Sequence, residues 1–267
     1  MQTSTQLGDA KIIRSHEMVH LPQPGSATTV ATPVSPALGS TWVTLHVVRV
    51  APGESWSPQD TVAEENTAVF FAGAGRAEVG EQSREVARGD AAHAPTGRAL
   101  RLTAGSDGLT AYVWRSPLQD GRTPGSDPEL FSSLWNETTQ LRGFAGTGQY
   151  TPGEKRATMN FVFWPGTGSC QLCLHCGIQQ PGETFTPHLH TESDEAFISF
   201  EGLGQMYLRD RWIDVEPGDV LYAAPMVLHG TRNPHTGPDA RRFVTCGGPS
   251  PFDTALYDAA GVSSKVR

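Results

Sequence analysis

The sequence predicts an all-β protein built from two copies of one fold, on two observations. Short runs rich in β-branched and aromatic residues, such as TWVTLHVVRV and EAFISFEG, alternate with turns, and the 267 residues include 29 glycines and 20 prolines. No long stretch has helical periodicity. The second observation is an internal repeat, because Gly182 and Gly218 lie 129 residues after Gly53 and Gly89. A chain of this length can hold two ordinary hydrophobic cores.

The repeat runs without a gap, and its identities fall at turn residues as well as at apolar ones. A constant offset of this kind indicates one fold made twice. The identical pairs are Leu45/Leu174, His46/His175, Pro52/Pro181, Gly53/Gly182, Glu54/Glu183, Pro58/Pro187, Phe71/Phe200, Gly73/Gly202, Gly75/Gly204, Val86/Val215, Gly89/Gly218 and Asp90/Asp219.

Metal-ligating residue types are concentrated in the second copy. His188 and His190 are two residues apart, so an extended chain presents both imidazoles on one face. Glu195 follows after a short polar turn, and a second segment, GDVLYAAPMVLHGTRN, contributes His229. Three imidazoles and one carboxylate suit Fe, Mn, Ni or Zn about equally, so we expect one divalent ion of unspecified identity.

These two segments resemble the paired motifs of the cupin superfamily. The first motif is a glycine, five residues, His-x-His, a Glu and a closing glycine, matched by Gly182, His188, His190, Glu195 and Gly202. The resemblance implies tandem cupin (jelly-roll) barrels, with one divalent metal ion held by the three histidines and the glutamate inside the second.

The second cupin motif is matched at its ends and altered in its turn. Gly218, His229 and Asn233 fall in place, whereas Ala224 and Met226 stand at the usual Pro and Gly positions. We therefore expect the ligand spacing to be kept and the turn to differ in shape.

The first copy lacks the ligands. The positions of His188, His190, Glu195 and His229 correspond to Gln59, Thr61, Asn66 and Leu100. Leucine cannot ligate a metal, so we expect a filled, metal-free first barrel. The predicted organisation is an N-terminal arm (1–30), barrel 1 (31–116), a connector (117–156) with a short helix in ELFSSLWNETTQL, and barrel 2 (157–267), with a helical tail in TALYDAAG.

Side chains that share a face with the ligands are candidates for a substrate pocket. Alternation from Glu195 and His229 places Phe197, Ser199 and Thr231 there. His175 lies on a strand that is apolar at alternate positions, and which face looks inward stays open. Because His46 repeats it in the copy without ligands, a structural hydrogen bond is favoured for it. No catalytic residue is assigned.

Three acids near the ligands have two interpretations. Glu183, Glu192 and Asp194 could act as a general base, but a solvated rim around the site is the favoured interpretation.

The four cysteines have a simpler explanation than metal binding. Cys170, Cys173 and Cys176 form C-x2-C-x2-C, but in an extended segment their thiols alternate between faces, and Cys246 is distant in sequence. We expect reduced, partly buried thiols.

Charge and segment composition limit the partners. The formal net charge of −8, without a Lys/Arg cluster, argues against nucleic acid. With no membrane-length apolar run, we expect a cytoplasmic protein with a small-molecule substrate, possible self-association and no membrane partner.

Three enzyme groups resemble parts of the chain. The two-barrel plan and the segments CQLCLHCGIQQPGETF and GLGQMYLRDRWIDVEPGDVLYAAP are similar to (S)-ureidoglycine aminohydrolases, manganese enzymes whose Glu-x-His-x3-His ligand pattern is absent here. His-x-His-x4-Glu after CQL resembles bicupin uronate ketol-isomerases. The ligand set resembles cupin dioxygenases best, and this resemblance implies dioxygenase chemistry on a small oxygen-rich substrate. A non-catalytic metal-dependent binding protein is the alternative from another class.

Overall fold

The computed structural model describes residues 5–6, 10–59, 63–119, 121–142 and 155–254, and this part of the chain is almost entirely β-structure. Short 3-10 turns at Ser15–Glu17, Pro36–Leu38 and Pro165–Thr167 interrupt it. The strands of the first half are β1 (Thr5–Gln6), β2 (Ala10–Ile13), β3 (Leu21–Pro22), β4 (Thr29–Val34), β5 (Thr44–Val50), β6 (Ser55–Trp56), β7 (Glu64–Val79), β8 (Gln82–Ala87), β9 (Asp90–Ala94), β10 (Leu100–Pro117) and β11 (Phe131–Ser133). Those of the second half are β12 (Gln140–Arg142), β13 (Lys155–Arg156), β14 (Thr158–Phe163), β15 (Leu174–Gln179), β16 (Glu183–His188), β17 (Asp194–Glu201), β18 (Gly204–Leu208), β19 (Arg211–Val215), β20 (Val220–Ala223), β21 (His229–Arg232) and β22 (Phe243–Ser250). The all-β prediction is confirmed.

Barrel 1 is one sheet that folds around its own core. Its order is β11-β9-β7-β10-β5-β4-β3. In addition, β6 pairs with the first half of β10, and β8 pairs with the second half of β7. The bend in β7 falls at Gly73, where φ is +77° and an added Cβ would lie 2.1 Å from the carbonyl oxygen of Gly108. Only glycine fits so close an approach.

Barrel 2 is made of two sheets. The larger has the order β1-β2-β20-β17-β22-β15-β14-β12, and the smaller has the order β13-β16-β21-β18-β19. Strand β2, which lies near the N-terminus, therefore belongs to barrel 2 and pairs with β20 from Ala10↔Ala223 to Ile13↔Val220.

The connector contributes one strand to each barrel. Its strand β11 extends the barrel 1 sheet beside β9, and β12 pairs with β14 in barrel 2. The predicted helix in ELFSSLWNETTQL is wrong, because residues 131–133 pair with the free edge of β9 and residues 134–135 form a turn. The predicted tail helix falls almost wholly outside the described residues.

The barrels pack face to face through a shared apolar core, which includes Leu45 and Trp114 of barrel 1 and Leu174, Cys176 and Ile198 of barrel 2. The indole nitrogen of Trp114 donates to the carbonyl oxygen of Ala196 at 2.8 Å. These contacts fix the strands of barrel 2 that carry the candidate site.

Two buried carboxylates join the barrels reciprocally. Asp194 of barrel 2 accepts hydrogen bonds from the backbone N–H groups of Thr41 and Trp42, each at 2.6 Å, and from the hydroxyls of Ser40 and Tyr222. Asp194 is therefore not part of a solvated rim, and that prediction is wrong for it because the other barrel covers this carboxylate. Glu192, by contrast, is exposed to solvent.

The matching contact runs in the opposite direction. Glu65, 129 residues before Asp194, accepts hydrogen bonds from the N–H groups of Cys170, Gln171 and Leu172 at 2.6, 2.9 and 3.1 Å and from the hydroxyl of Ser169. Each barrel thus places one carboxylate on the same loop of the other.

Candidate metal centre

Three strands and one loop bring the four candidate ligands together. His188 ends β16 and His229 begins β21, and the two residues are directly paired across the smaller sheet. Glu195 comes from β17 in the larger sheet, and His190 lies in the loop between β16 and β17. One ligand atom from each of the four buried side chains lies within 4.8 Å of the others.

The hydrogen bonds of the imidazoles determine which nitrogen faces the centre. The Nδ1 atoms of His188 and His229 lie 3.0 and 2.8 Å from the carbonyl oxygens of Thr186 and Val227. A carbonyl oxygen only accepts, so each Nδ1 carries the proton and each Nε2 presents a lone pair. This is the tautomer that a metal-binding histidine needs.

The third histidine is oriented by a carboxylate that the sequence analysis missed. The Nδ1 atom of His190 lies 2.7 Å from Oδ2 of Asp253, which follows the last strand of the barrel. A carboxylate behind a histidine fixes its tautomer and increases its basicity as a ligand. Nothing in the run GGPSPFD distinguished Asp253 from a surface acid.

Glu195 lies at the centre of the cluster. Its Oε2 atom is 2.8 Å from Nε2 of His190 and 2.6 Å from Nε2 of His229. Burial raises the pKa of Glu195, but the neighbouring His229 and His190 outweigh it and hold that pKa well below its usual range. Burial lowers the pKa of His190, and the Glu195 and Asp253 carboxylates more than reverse this, raising it to about 9.

The donor set fits a cation. The Nε2 lone pairs and the Glu195 carboxylate point at one another in a buried place, which is unfavourable unless a proton or a metal ion lies between them. Imidazole and carboxylate together suit first-row divalent metals. The four residues could therefore hold a metal ion.

The turn before His229 keeps its shape despite the altered motif. Met226 adopts φ +66°, close to the +87° of Gly97 at the matching position of barrel 1. Its N–H donates to the carbonyl oxygen of His190 at 2.7 Å. The expectation of a different turn is wrong, because this hydrogen bond is made by the backbone and holds a non-glycine residue in the left-handed region.

The structure shows which face of β15 points into barrel 2. His175, Gly177 and Gln179 point into barrel 2, because the alternate residues Leu174 and Cys176 pack in the core between the barrels. Nε2 of His175 lies 3.4 Å from Oε1 of Glu195, and its buried Nδ1 has no hydrogen-bond partner among the described residues.

A cavity of about 30 Å³ adjoins the cluster. That is room for about two water molecules. Phe197 and Thr231 belong to its wall, whereas Ser199 lies beyond the wall, fully buried opposite Thr245 on β22. The wall comprises Met159, His175, Gly177, Phe185, His188, Glu195, Phe197, His229, Gly230, Thr231 and Thr245.

The cysteines are free, as predicted, and all four are buried rather than partly buried. Cys176 and Cys246 are paired across β15 and β22 in the core between the barrels, and burial raises the pKa of Cys176 to about 12. Within the described residues, the only group of potential metal ligands that converges is the one around Glu195.

Barrel 1 has no comparable cluster in the described part of the chain. Gln59 is exposed, Asn66 is buried, and Leu100 lies in an apolar core. Thr61 falls outside the described residues.

Comparison with known proteins agrees with this geometry. Residues 178–245, which contain all four cluster residues, match the family described as the cupin domain. The matched stretch lies wholly within barrel 2. No curated protein sequence matches the chain.

Solved structures extend the cupin likeness over both barrels. A putative glyoxylate-induced protein from Pseudomonas aeruginosa is 14% identical with a TM-score of 0.74, covering 93% of this chain and 91% of its own. Protein Ylba from E. coli is 14% identical with a TM-score of 0.66, covering 90% and 91%. A mutant of Bacillus subtilis oxalate decarboxylase is 12% identical with a TM-score of 0.64, covering 91% and 77%. These likenesses show that the chain has a bicupin fold. None of the described helices is long and apolar enough to cross a bilayer.

Proposed function

We propose that barrel 2 binds one divalent metal ion on His188, His190, Glu195 and His229 and acts as a metal-dependent enzyme on a small, oxygen-rich substrate. The observation that carries this proposal is the buried cluster of Nε2 lone pairs around a carboxylate, within 4.8 Å of one another. A protein keeps so costly an arrangement where the chemistry requires it.

A bound divalent ion supplies Lewis acidity and, where the metal is redox active, electron transfer. Three neutral imidazoles and one carboxylate would leave such an ion a net charge near +1. Asp253 and the carbonyl oxygens of Thr186 and Val227 hold the imidazoles in the orientation that binding requires.

Dioxygenase chemistry is our first candidate. Met159, Phe185 and Phe197 give the small cavity an apolar wall, which suits dioxygen and excludes bulk water. A dioxygenase that cleaves its substrate oxidatively puts both atoms of dioxygen into the products and takes all the electrons from that substrate, so this reaction needs no external reductant.

A hydrolase is the second candidate, because His175 is available as a base. It lines the cavity, and its buried Nδ1 has no partner among the described residues, so this nitrogen can accept a proton from water. A hydrolase would turn over without oxygen.

Measurements on the Fe(II)-loaded and Mn(II)-loaded proteins separate these reactions. The substrates are a panel of diketones, catechols, uronates and ureido acids, followed by oxygen consumption and ammonia release. We expect oxygen consumption that is lost when the metal is chelated and kept in Asn66→Ala, the barrel 1 position corresponding to Glu195. Ammonia release without oxygen would replace the dioxygenase by the hydrolase, and full turnover by the metal-stripped protein would contradict both.

A further inference from the structure

The two carboxylate oxygens of Glu195 have different neighbours. Oε2 faces the cluster, 2.8 Å from Nε2 of His190 and 2.6 Å from Nε2 of His229. Oε1 lies on the side of His175, whose Nε2 atom is 3.4 Å away. His175 is not one of the four side chains whose ligand atoms lie within 4.8 Å of one another. It therefore contacts a candidate ligand without belonging to the ligand set.

The surroundings of His175 favour one position for its proton. A carboxylate oxygen only accepts hydrogen bonds, so the contact with Oε1 of Glu195 favours a proton on Nε2. Nδ1 is buried and has no hydrogen-bond partner among the described residues, so a proton there would be an unpaired buried donor. Burial raises the pKa of Glu195, and His229, His190 and then His175 reverse this and hold it well below its usual range. The neutral imidazole of His175 thus directs an N–H group at a charged carboxylate.

The strands on either side of β15 hold the imidazole of His175 in this orientation. On β22, a Cβ added to Gly248 would lie 3.0 Å from Cδ2 of the imidazole, so the ring packs against this backbone. On β14, the ring of Phe161 meets the imidazole edge-on, with the two ring centres 6.5 Å apart. The ring is therefore oriented by packing within the barrel, without a hydrogen bond to Nδ1.

Barrel 1 has the corresponding histidine without the carboxylate. An asparagine stands at the position of Glu195, and His46 stands at the position of His175. The hydroxyl of Thr32 lies 3.0 Å from Nδ1 of His46, so the histidine of barrel 1 is held from its other nitrogen. The contact between imidazole and carboxylate thus occurs in the barrel that has the candidate metal ligands.

A carboxylate can bind a metal ion through one oxygen or through both. A hydrogen bond to one oxygen makes that oxygen a poorer ligand, and carboxylates that bind metals are commonly held by such bonds. We propose that His175 is a positioning residue, whose Nε2–H group holds Oε1 of Glu195 so that this carboxylate presents Oε2 alone to a metal ion. The inference rests on the proposed metal-dependent function. Its consequence is that the coordination position that Oε1 would otherwise take stays open to a substrate atom.

Crystal structures of the Mn(II)-loaded wild type and of His175→Leu test this proposal directly. We expect Glu195 to bind Mn(II) through one oxygen in the wild type and through both in His175→Leu, with the Mn(II) content unchanged. His175→Gln keeps an N–H donor at this position and should restore binding through one oxygen. In solution, water-proton relaxation by the bound Mn(II) should be weaker in His175→Leu than in the other two proteins, because Oε1 displaces a water molecule.

His46→Leu is the matched control, because it removes the corresponding histidine from the barrel without the candidate ligands. It should leave the coordination of Mn(II) and the water-proton relaxation at the wild-type level. Binding through both oxygens in the wild type, or through one oxygen in His175→Leu, would overturn the inference alone. Loss of Mn(II) from a folded His175→Leu protein would overturn it too, because His175 would then be a ligand. A wild-type protein that retains no Mn(II) would overturn the proposed metal site instead.

Discussion

The two barrels share a frame and differ in what fills it. Glu65 and Asp194, 129 residues apart, hold equivalent loops of the opposite barrel. The sharp bend at Gly73 recurs at Gly202, where an added Cβ would lie 2.2 Å from the carbonyl oxygen of Arg242. Yet Leu100 lies in an apolar core where barrel 2 has His229. The backbone fold of the barrel therefore forms with or without the candidate metal ligands.

A histidine pair shows the same difference on a smaller scale. His46 of barrel 1 has a partner, the hydroxyl of Thr32, 3.0 Å from its Nδ1. His175 has no such partner, because the position of Thr32 is taken by Phe161, whose ring centre lies 6.5 Å from that of His175. In barrel 2 the imidazole of His175 therefore lies beside Glu195, whereas in barrel 1 the imidazole of His46 contacts the hydroxyl of Thr32.

The largest effect should come from removing one candidate ligand. His188→Ala removes one of the four candidate donors, so we expect purified protein to lose its metal and its activity. Gln59→Ala, at the matching position of barrel 1, should retain both at the wild-type level. Elemental analysis of the two variants checks this, and loss of metal from Gln59→Ala would show that barrel 1 takes part in binding.

Removing either carboxylate that joins the barrels should destabilise the fold to a similar extent. Glu65→Ala removes the acceptor of three buried backbone N–H groups, and Asp194→Ala removes the acceptor of two backbone N–H groups. We expect each to lower the free energy of unfolding by about 3 kcal/mol in urea titrations. Glu192→Ala, at an exposed neighbour, should change it by less than about 0.5 kcal/mol. A strong asymmetry between the two variants would contradict their equivalence.

Asp253→Asn should weaken metal binding without abolishing it. The amide keeps the shape of the side chain but removes the charge behind His190, and losses of about 10- to 100-fold in affinity are typical of such changes. Competition with a chelator of known affinity measures the change. Asp239→Asn, at an exposed acid, serves as the control. An unchanged affinity in Asp253→Asn would remove this residue from the site.

The smallest effect concerns acid stability and lies in barrel 1. Burial and then Arg115 lower the pKa of His46 to about 4. Between pH 6.5 and 4 the unfolded chain binds a proton there that the folded chain does not, so stability falls as the pH falls through this window. His46→Gln should reduce that fall by about 1 kcal/mol, after allowance for partial solvent screening. His235→Gln, at an exposed histidine, should leave the pH dependence of stability unchanged. A His46→Gln variant with the same pH dependence as the wild type would show that His46 does not cause the fall in stability.

The fold and the cluster could be predicted because both depend on local periodicity. His188 and His190 lie two residues apart on extended chain, and the constant offset of the repeat indicated a second copy of the frame. The role of Asp194 could not be predicted, because its burial depends on how the barrels pack. The role of Asp253 could not be predicted either, because its position beside His190 depends on how the chain returns to the site after β22.

Two further features were hidden for related reasons. Both faces of β15 are buried, one against barrel 1 and the other inside barrel 2, so alternation could not identify the face of His175. Residues 131–133 form a strand because β9 offers a free edge, and such a partner distant in sequence outweighs local helical preference.

The central claim, that barrel 2 alone holds a metal ion, is tested most directly by anomalous scattering from crystals of the Mn(II)-loaded wild-type protein. We predict one peak per chain, among His188, His190, Glu195 and His229. A peak inside barrel 1, or a fully loaded protein without a peak at these four side chains, would contradict it.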